Sequence, residues 1–290
     1  MLILVTGATG FLGSHLVRHL VQAGHEINAI RRASSSARRL GDVEKKIHWF
    51  TVEAENRVAS AAFVGVDVVV HTAACYGRAG ETELEVVRAN TLFPLAVLAG
   101  AVEHCIRKFI HTDSALPPET SPYALSKAQF SQWGKLMADF RGLNFINARL
   151  EHFYGPGDDN VKFTSRVIAS CLNNTPELPL TAGDQQRDFA YIGDVVEALR
   201  LLIADSGRAG TGYVEVPIGS GTTTTVRELV EMIHTITRSR TRLLFGAISP
   251  RPKEVRYSCA DLTLMNRLGW KPATTLRTGL ELTISSMHQP

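Results

Sequence analysis

Cysteine is scarce in this 290-residue chain: Cys75, Cys105, Cys171 and Cys259 are the only four, far apart and without C-x-x-C spacing. That pattern excludes a disulfide framework and a cysteine-built metal site, and reads as buried, reduced thiols; no metal is expected. Net charge is also small, since 31 Lys plus Arg against 28 Asp plus Glu leaves +3. Such a balance gives no reason to expect a nucleic-acid partner, although the positive groups can serve small anionic ligands. No apolar run approaches the length of a membrane span, so no membrane partner is expected. The opening run, 1–5, is too short for a signal peptide. Linkers, low-complexity tracts and internal repeats are missing as well. A chain that is 44% hydrophobic can bury a full core, as one large domain or one and a half, and the expected location is cytoplasmic.

What the chain does have begins at once. After the apolar run comes Thr6-Gly7-Ala8-Thr9-Gly10-Phe11-Leu12-Gly13, a strand leading through a glycine-rich turn into a helix over about 11–23. In G-x-x-G-x-x-G spacing, Gly7 permits the tight turn, Gly10 lets a pyrophosphate approach the backbone, and Gly13 lets helix and strand pack closely. The helix start offers free N–H groups and a positive dipole to an anion. Strand two, 26–30, would end in Asp or Glu if the site were built for NAD. That acid is missing. Arg31, Arg32 and Ser34 stand there instead, followed by further serines and arginines. Guanidinium and hydroxyl groups suit a 2′-phosphate, so NADP(H) is the expected cofactor; a solvated basic loop is the plainer alternative.

Strands and helices then alternate. Strands are expected at 47–52, 66–71, 108–112 and 145–150, and helices at 56–63, 81–104 and 121–140, the last capped by Ser121 with Pro122 at its first position. Repeated βα units mean a doubly wound parallel sheet with helices on both faces, an α/β fold. Beyond 150 the elements shorten: helices near 161–172, 194–203 and 226–237, with further segments at 188–192, 212–216, 262–268 and 276–286. This smaller α/β part, 151–290, is expected mainly to cover the strand ends where an open α/β sheet binds ligands, with segments returning to the first sheet, while 1–150 holds the cofactor.

Tyr123-Ala-Leu-Ser-Lys127 places a tyrosine and a lysine one helical turn apart on the same face. An ammonium near a phenol stabilises the phenolate, and a tyrosine so tuned can exchange the proton that accompanies hydride transfer at a carbonyl. The pair gains weight from the glycine motif far upstream.

Together these residues resemble the extended short-chain dehydrogenase/reductases, the nucleotide-sugar epimerase/dehydratase/reductase superfamily. Nearly the whole length takes part: Gly7, Thr9, Gly10, Phe11, Leu12 and Gly13; His71, Thr72, Ala73 and Ala74; Asn90; Tyr123 and Lys127; the turn 154–157; Arg187 to Val195; and Leu268-Gly269-Trp270-Lys271-Pro272. The resemblance implies a Rossmann-type sheet, cofactor contacts from those residues, and a catalytic hydroxyl at Ser114 with Thr112 as the fallback. Only eight residues, 115–122, separate Ser114 from Tyr123, fewer than in most relatives. Dehydratases of the superfamily use Thr-Asp-Glu; here Ala115 and Leu116 follow Ser114, so dehydration is discounted. The short loop and the run 150–159 are similar to bacterial 4-ketoreductases that make CDP- or dTDP-linked deoxysugars, of the CDP-abequose or CDP-paratose synthase kind. That likeness implies reduction of a nucleotide-activated 4-keto-deoxyhexose by NADPH, with Glu151, His152, Arg187 and Arg251 on the substrate and a homodimer through the helices 81–104 and 121–140. Trp49, Trp133 and Trp270 read as packing residues. A C4 epimerase with a retained cofactor, a reductase of other carbonyl compounds and a non-catalytic NADP(H) sensor stay open as alternatives.

Overall fold

The computed structural model describes residues 1–53 and 56–287. In chain order the elements are β1 (Leu2–Thr6), α1 (Phe11–Gln22), β2 (Glu26–Arg31), β3 (Ile47–Thr51), β4 (Val68–His71), α2 (Glu83–Val87), α3 (Phe93–Glu103), β5 (Lys108–Ser114), α4 (Pro122–Arg141) and β6 (Asn144–Leu150). There follow β7 (His152–Tyr154), α5 (Phe163–Leu172), β8 (Glu177–Leu180), β9 (Gln186–Tyr191), α6 (Ile192–Ala204), β10 (Tyr213–Ile218), β11 (Thr223–Thr225), α7 (Val226–Thr237), β12 (Arg242–Phe245), α8 (Thr263–Arg267) and α9 (Leu276–Met287). Contacts divide the chain into two units, 1–150 with 196–217, and 151–195 with 218–290.

In the first unit seven strands form one sheet in the order β10-β6-β5-β4-β1-β2-β3, and the pairings from β3 through β6 are parallel. β1 and β4 are Leu, Ile and Val up to Thr6 and His71 at their ends and nearly all buried, and β5 is buried from Phe109 to Asp113, as strands covered on both faces require. Strand order reverses at β1, whose neighbours are β2 and β4, and such a reversal opens a crevice at the carboxyl ends of the strands. Thr6 pairs with His71, so the turn after β1 and the loop after β4 leave the sheet side by side.

Three expectations in this unit need correcting. The segment 56–63 forms no α-helix and carries a 3-10 turn at Ser60–Ala62. Asn56 takes a left-handed φ of 63°, and Val58 and Phe63 reach into the core, which holds the segment open. The helix expected at 81–104 is continuous over 83–103 but carries a π-helical segment at Arg88–Leu92 between α2 and α3. That 21-residue helix, of mean hydropathy 1.3, is long and apolar enough to cross a membrane by length and composition alone. Core helices pass the same test, and Val86, Val97, Leu98 and Ala101 of this one are buried among the core side chains. Trp133, expected to pack, is 40% exposed.

The second unit has a three-stranded sheet, β11-β9-β7, and a parallel pair, β12-β8. α5, α7 and α9 enclose its core of Tyr154, Val167, Ile168, Leu229, Val230, Ile233 and Leu280. α7 starts at Val226 because Thr225 and Glu228 form a reciprocal capping box. Asp194 does not begin α6, which starts at Ile192; its carboxylate accepts from the N–H groups of Ala273 and Thr274 at 3.1 and 3.0 Å.

Candidate active site

The glycine turn fits a phosphate cradle. A Cβ on Gly7, whose φ is +72°, would lie 2.5 Å from the Ala73 nitrogen. One on Gly13 would lie 2.1 Å from the Gly7 carbonyl oxygen. Both glycines are therefore demanded by packing, of the turn on the loop after β4 and of α1 on the turn. Gly10 differs. It is exposed and caps α1 with an extended backbone and no side chain across the helix start. With no acid in the first turn, the N–H groups there keep their attraction for an anion. Thr9 is partly exposed, whereas Phe11 and Leu12 are buried at 5% and 7%, so only their backbones face the turn.

At the end of β2 the arginines part ways. Arg31 lies over the Trp49 ring at 4.6 Å and 3.9 Å from Glu44, while Arg32 and Ser34 are exposed. After β4, Thr72 donates its hydroxyl to the Thr6 carbonyl at 2.8 Å, and Ala73 and Ala74 lead outward. His71 does not line the site. Its ring is fully buried, its Nδ1 is 2.6 Å from the Thr6 hydroxyl, and it stacks on His111 at 5.5 Å. Nor can the Asn90 amide reach a cofactor. It accepts from Cys75 N at 2.7 Å and donates to Cys75 O at 2.8 Å and to the Ser126 hydroxyl at 3.0 Å. The π-helical segment thereby aims Asn90 and Thr91 at α4: Thr91 donates to the Ser126 carbonyl at 3.0 Å, and Ser126 to the Tyr123 carbonyl at 2.8 Å. Such bulges are frequent at functional sites, and this one ties the loop after β4 to the first turns of α4.

Ser121 caps α4 through the Ala124 N–H, and Pro122 opens the helix. Ser114 ends β5 and accepts from Leu116 N at 3.2 Å. Thr112 is unavailable because its hydroxyl donates to the His71 carbonyl at 3.0 Å inside the sheet. Burial, with Tyr76 and Asp113 adding to it, pushes the Tyr123 phenol well above its ordinary pKa; Ser114 and Arg78 oppose the shift. Lys127 is only 1% exposed, and burial lowers its pKa to about 8 against the attraction of Asp113. Burial thus leaves the tyrosine a neutral phenol, where the spacing of Tyr123 and Lys127 suggests a lowered pKa. Asp113 accepts from Ser114 N at 2.7 Å, from the Ser131 hydroxyl at 2.8 Å and from Asn147 at 3.0 Å, so its carboxylate braces β5.

In the second unit Glu151 is a buried carboxylate, 2.6 Å from the Ser258 hydroxyl that donates to it, with His152 Nδ1 at 4.0 Å. The His152 ring meets Phe189 edge to face at 6.0 Å. Arg187 is buried; it donates to the carbonyls of Gln186 and Val255 and lies 3.9 Å from Glu254. Its neighbour Asp188, fully buried, accepts from the N–H groups of Ser220, Gly221 and Ala260 and from the Ser220 hydroxyl. Arg251 is exposed. Sequence reasoning placed Arg187 and Arg251 together; the structure makes the first a brace and leaves the second open. It passed over Tyr76 and Thr91, for which the one available signal was position between the two motifs they join, and gave no role to Ser126 inside the second.

Comparison with known proteins agrees with this geometry. Residues 3–215 match the NAD dependent epimerase/dehydratase family. The CDP-abequose synthase of Salmonella typhimurium is 31% identical over 292 residues, covering 96% of each chain. The dTDP-4-dehydro-6-deoxy-D-allose reductase of Streptomyces bikiniensis is 28% identical, covering 97% of this chain and 94% of that one. The crystal structure of the Thermotoga maritima UDP-glucose 4-epimerase with UDP-glucose superposes with a TM-score of 0.87 at 25% identity, over 100% of this chain and 99% of that one. With the strand order, the glycine turn and the Tyr123/Lys127 pair already in place, these likenesses identify the chain as an enzyme belonging to the NAD dependent epimerase/dehydratase family, an extended short-chain dehydrogenase/reductase.

Proposed function

We propose that this enzyme uses NADPH to reduce the C4 ketone of a nucleotide-activated 4-keto-deoxyhexose, CDP- or dTDP-linked. The observation that carries the reading is the meeting of Ser114 and Tyr123 beside buried Lys127, in the same unit and at the same strand ends as the glycine turn. The similarity to a CDP-abequose synthase and to a dTDP-4-dehydro-sugar reductase supports the substrate class.

The residues present fit a dinucleotide. The turn at Gly7, Thr9, Gly10 and Gly13 and the start of α1 would hold the pyrophosphate, and exposed Arg32 and Ser34 beside Arg31 the 2′-phosphate that distinguishes NADP from NAD. When bound, its nicotinamide supplies the hydride. The protein's part is the proton. Ser114 orients the ketone oxygen, Tyr123 gives that oxygen its phenolic proton, and the Lys127 ammonium stabilises the phenolate left behind until solvent reprotonates it. With a pKa of about 8, Lys127 is mostly charged at pH 7. In the second unit, exposed Arg251 would pair with the diphosphate, and Glu151 and His152 with sugar hydroxyls. Asp113 is already used by three donors, which removes it from any elimination.

We further propose a cytoplasmic homodimer. Leu125, Trp133, Leu136 and Phe140 are exposed along one face of α4, and Leu84 and Leu92 are exposed on the helix 83–103 of the same unit. A second copy covering this stripe would remove it from water. Sedimentation should show a dimer, and Trp133→Glu with Leu136→Glu a monomer; a monomeric parent would end the idea.

The same geometry serves a C4 epimerase that keeps its cofactor, and the likeness to a UDP-glucose 4-epimerase favours keeping that reading in view. Consumption of NADPH decides. One NADPH oxidised per 4-keto sugar converted supports the reductase. Interconversion of C4 epimers with no consumption replaces it with the epimerase.

A further inference from the structure

Tyr76 lies in the loop after β4, and no sequence motif marks it. Its ring centroid is 4.8 Å from that of Tyr123, with 34° between the planes. On the Tyr76 ring sits the Arg78 guanidinium, 5.4 Å from the centroid. Two aromatic rings at this spacing attract each other beyond their shared apolar area, and a cation over one of them adds to the stack. The stack is anchored from behind. Asn90 grips both the N–H and the carbonyl of Cys75, the residue before Tyr76, and bonds to Ser126 in the turn of α4 that carries Tyr123 and Lys127. One side chain from the π-helical segment therefore fixes the spacing of loop and helix, and with it the two rings.

We infer that Tyr76 is a positioning residue for Tyr123: its ring covers one face of the phenol, holds that side chain in a single orientation, and keeps water from it. The inference rests on the reading of Tyr123 as the proton donor. It adds that the donor's orientation and protonation are set by an aromatic partner held by Asn90. Covering matters because a phenol free to turn toward water would not hold its proton at the ketone oxygen. The groups that act on the Tyr123 phenol are Tyr76 and Arg78 from the loop and Asp113 and Ser114 from β5. Among these, Tyr76 is the aromatic cover.

The test compares Tyr76→Ala and Tyr76→Phe with the parent. The Tyr123 phenol is titrated by 13C-tyrosine NMR without substrate, its signal identified from its loss in Tyr123→Phe. Expected is a Tyr123 titration midpoint in Tyr76→Ala about one pH unit below that of the parent and of Tyr76→Phe. Turnover of the 4-keto substrate by Tyr76→Ala should fall about tenfold or more, with KM within about threefold, and return in Tyr76→Phe. An unmoved Tyr123 titration in Tyr76→Ala overturns the inference, whatever the rate. Should Tyr76→Ala melt early, Tyr76→Leu keeps apolar volume without a ring; lowered kcat at parental KM supports positioning by the ring, and parental kcat overturns it. If the titration moves as expected while the parent reduces no nucleotide sugar, the proposed reaction fails and the pairing of the rings stands.

Discussion

The turn at Gly7, Gly10 and Gly13 and the pair Arg187–Asp188 are both sequence motifs, and they end in opposite circumstances. In the first unit, Gly10, Arg32 and Ser34 are exposed, and Tyr123 is partly so. In the second, Arg187 keeps 8% of its side chain exposed, and Asp188 is closed off entirely by four donors. The first motif is built around a place for something else; the second holds its own unit together. The reason lies in the strands. Long parallel strands satisfy one another's backbones, so the ends of β1, β4 and β5 are free to present loops. β7 and β11 are three residues each, and a sheet that small relies on side chains to close its loops.

The largest effect expected on this contrast comes from Tyr123→Phe. Turnover should fall roughly 10²–10⁴-fold with melting and NADPH binding kept, as read by steady-state rates beside calorimetric titration. Parental turnover would remove Tyr123 from the chemistry.

Next, the contrast sharpens between two arginines. Arg187→Ala should cost about 2–3 kcal/mol in urea unfolding, because two carbonyls and Glu254 lose their partner. Arg251→Ala should stay within about 0.5 kcal/mol of the parent, yet raise KM for the nucleotide sugar about tenfold. The reverse pattern would break the assignment of brace and ligand.

Within the first unit the glycines divide in the same way. Gly13→Ala forces a Cβ onto the Gly7 carbonyl and should cost about 3 kcal/mol, whereas Gly10→Ala, whose Cβ would sit 3.2 Å from that oxygen, should cost less than about 1 kcal/mol and weaken dinucleotide binding about tenfold. Equal stability losses would show that Gly10 is only a packing residue.

Smaller still is a pH effect. His71 and His111 are fully buried, and burial, together with the Lys127 charge, holds both well below their ordinary pKa. Neither nitrogen of His111 has a partner among the described residues. In the unfolded chain each binds a proton below about 6.5, and in the folded chain it resists. Stability is therefore unaffected above that pH and is lost as pH falls below it, by up to about 1.4 kcal/mol per pH unit for each histidine. His111→Phe, in a cage of Phe130 and Phe145, should halve that slope in urea melts between pH 6.5 and 5.5. A parental slope would exclude His111 as a source.

Much of the first unit was legible because its information is periodic and contiguous. Apolar runs gave β1, β2 and β4 to within two residues, and Ser121-Pro122 gave the start of α4. The proposed catalytic pair could be read because helical spacing alone brings Tyr123 and Lys127 onto one face. The π-helical segment was hidden, since Arg88–Leu92 differs from an ordinary helix by one hydrogen-bond register, which composition does not encode. β8, Glu177–Leu180, carries Pro179, a residue that argues against a strand unless it lies at an edge. β8 is such an edge, paired only with β12. Whether Arg187 meets a ligand or a carbonyl depends on where Val255 and Glu254 come to lie, a long-range fact outside any local pattern.

The central claim is net reduction at C4. The direct measurement is the molar ratio of NADPH oxidised to product formed, with freshly prepared CDP- and dTDP-4-keto-6-deoxyglucose and their 3-deoxy forms as substrates. The account predicts a ratio of one with at least one nucleotide series and no product without added NADPH. Product formed with no NADPH consumed would contradict it.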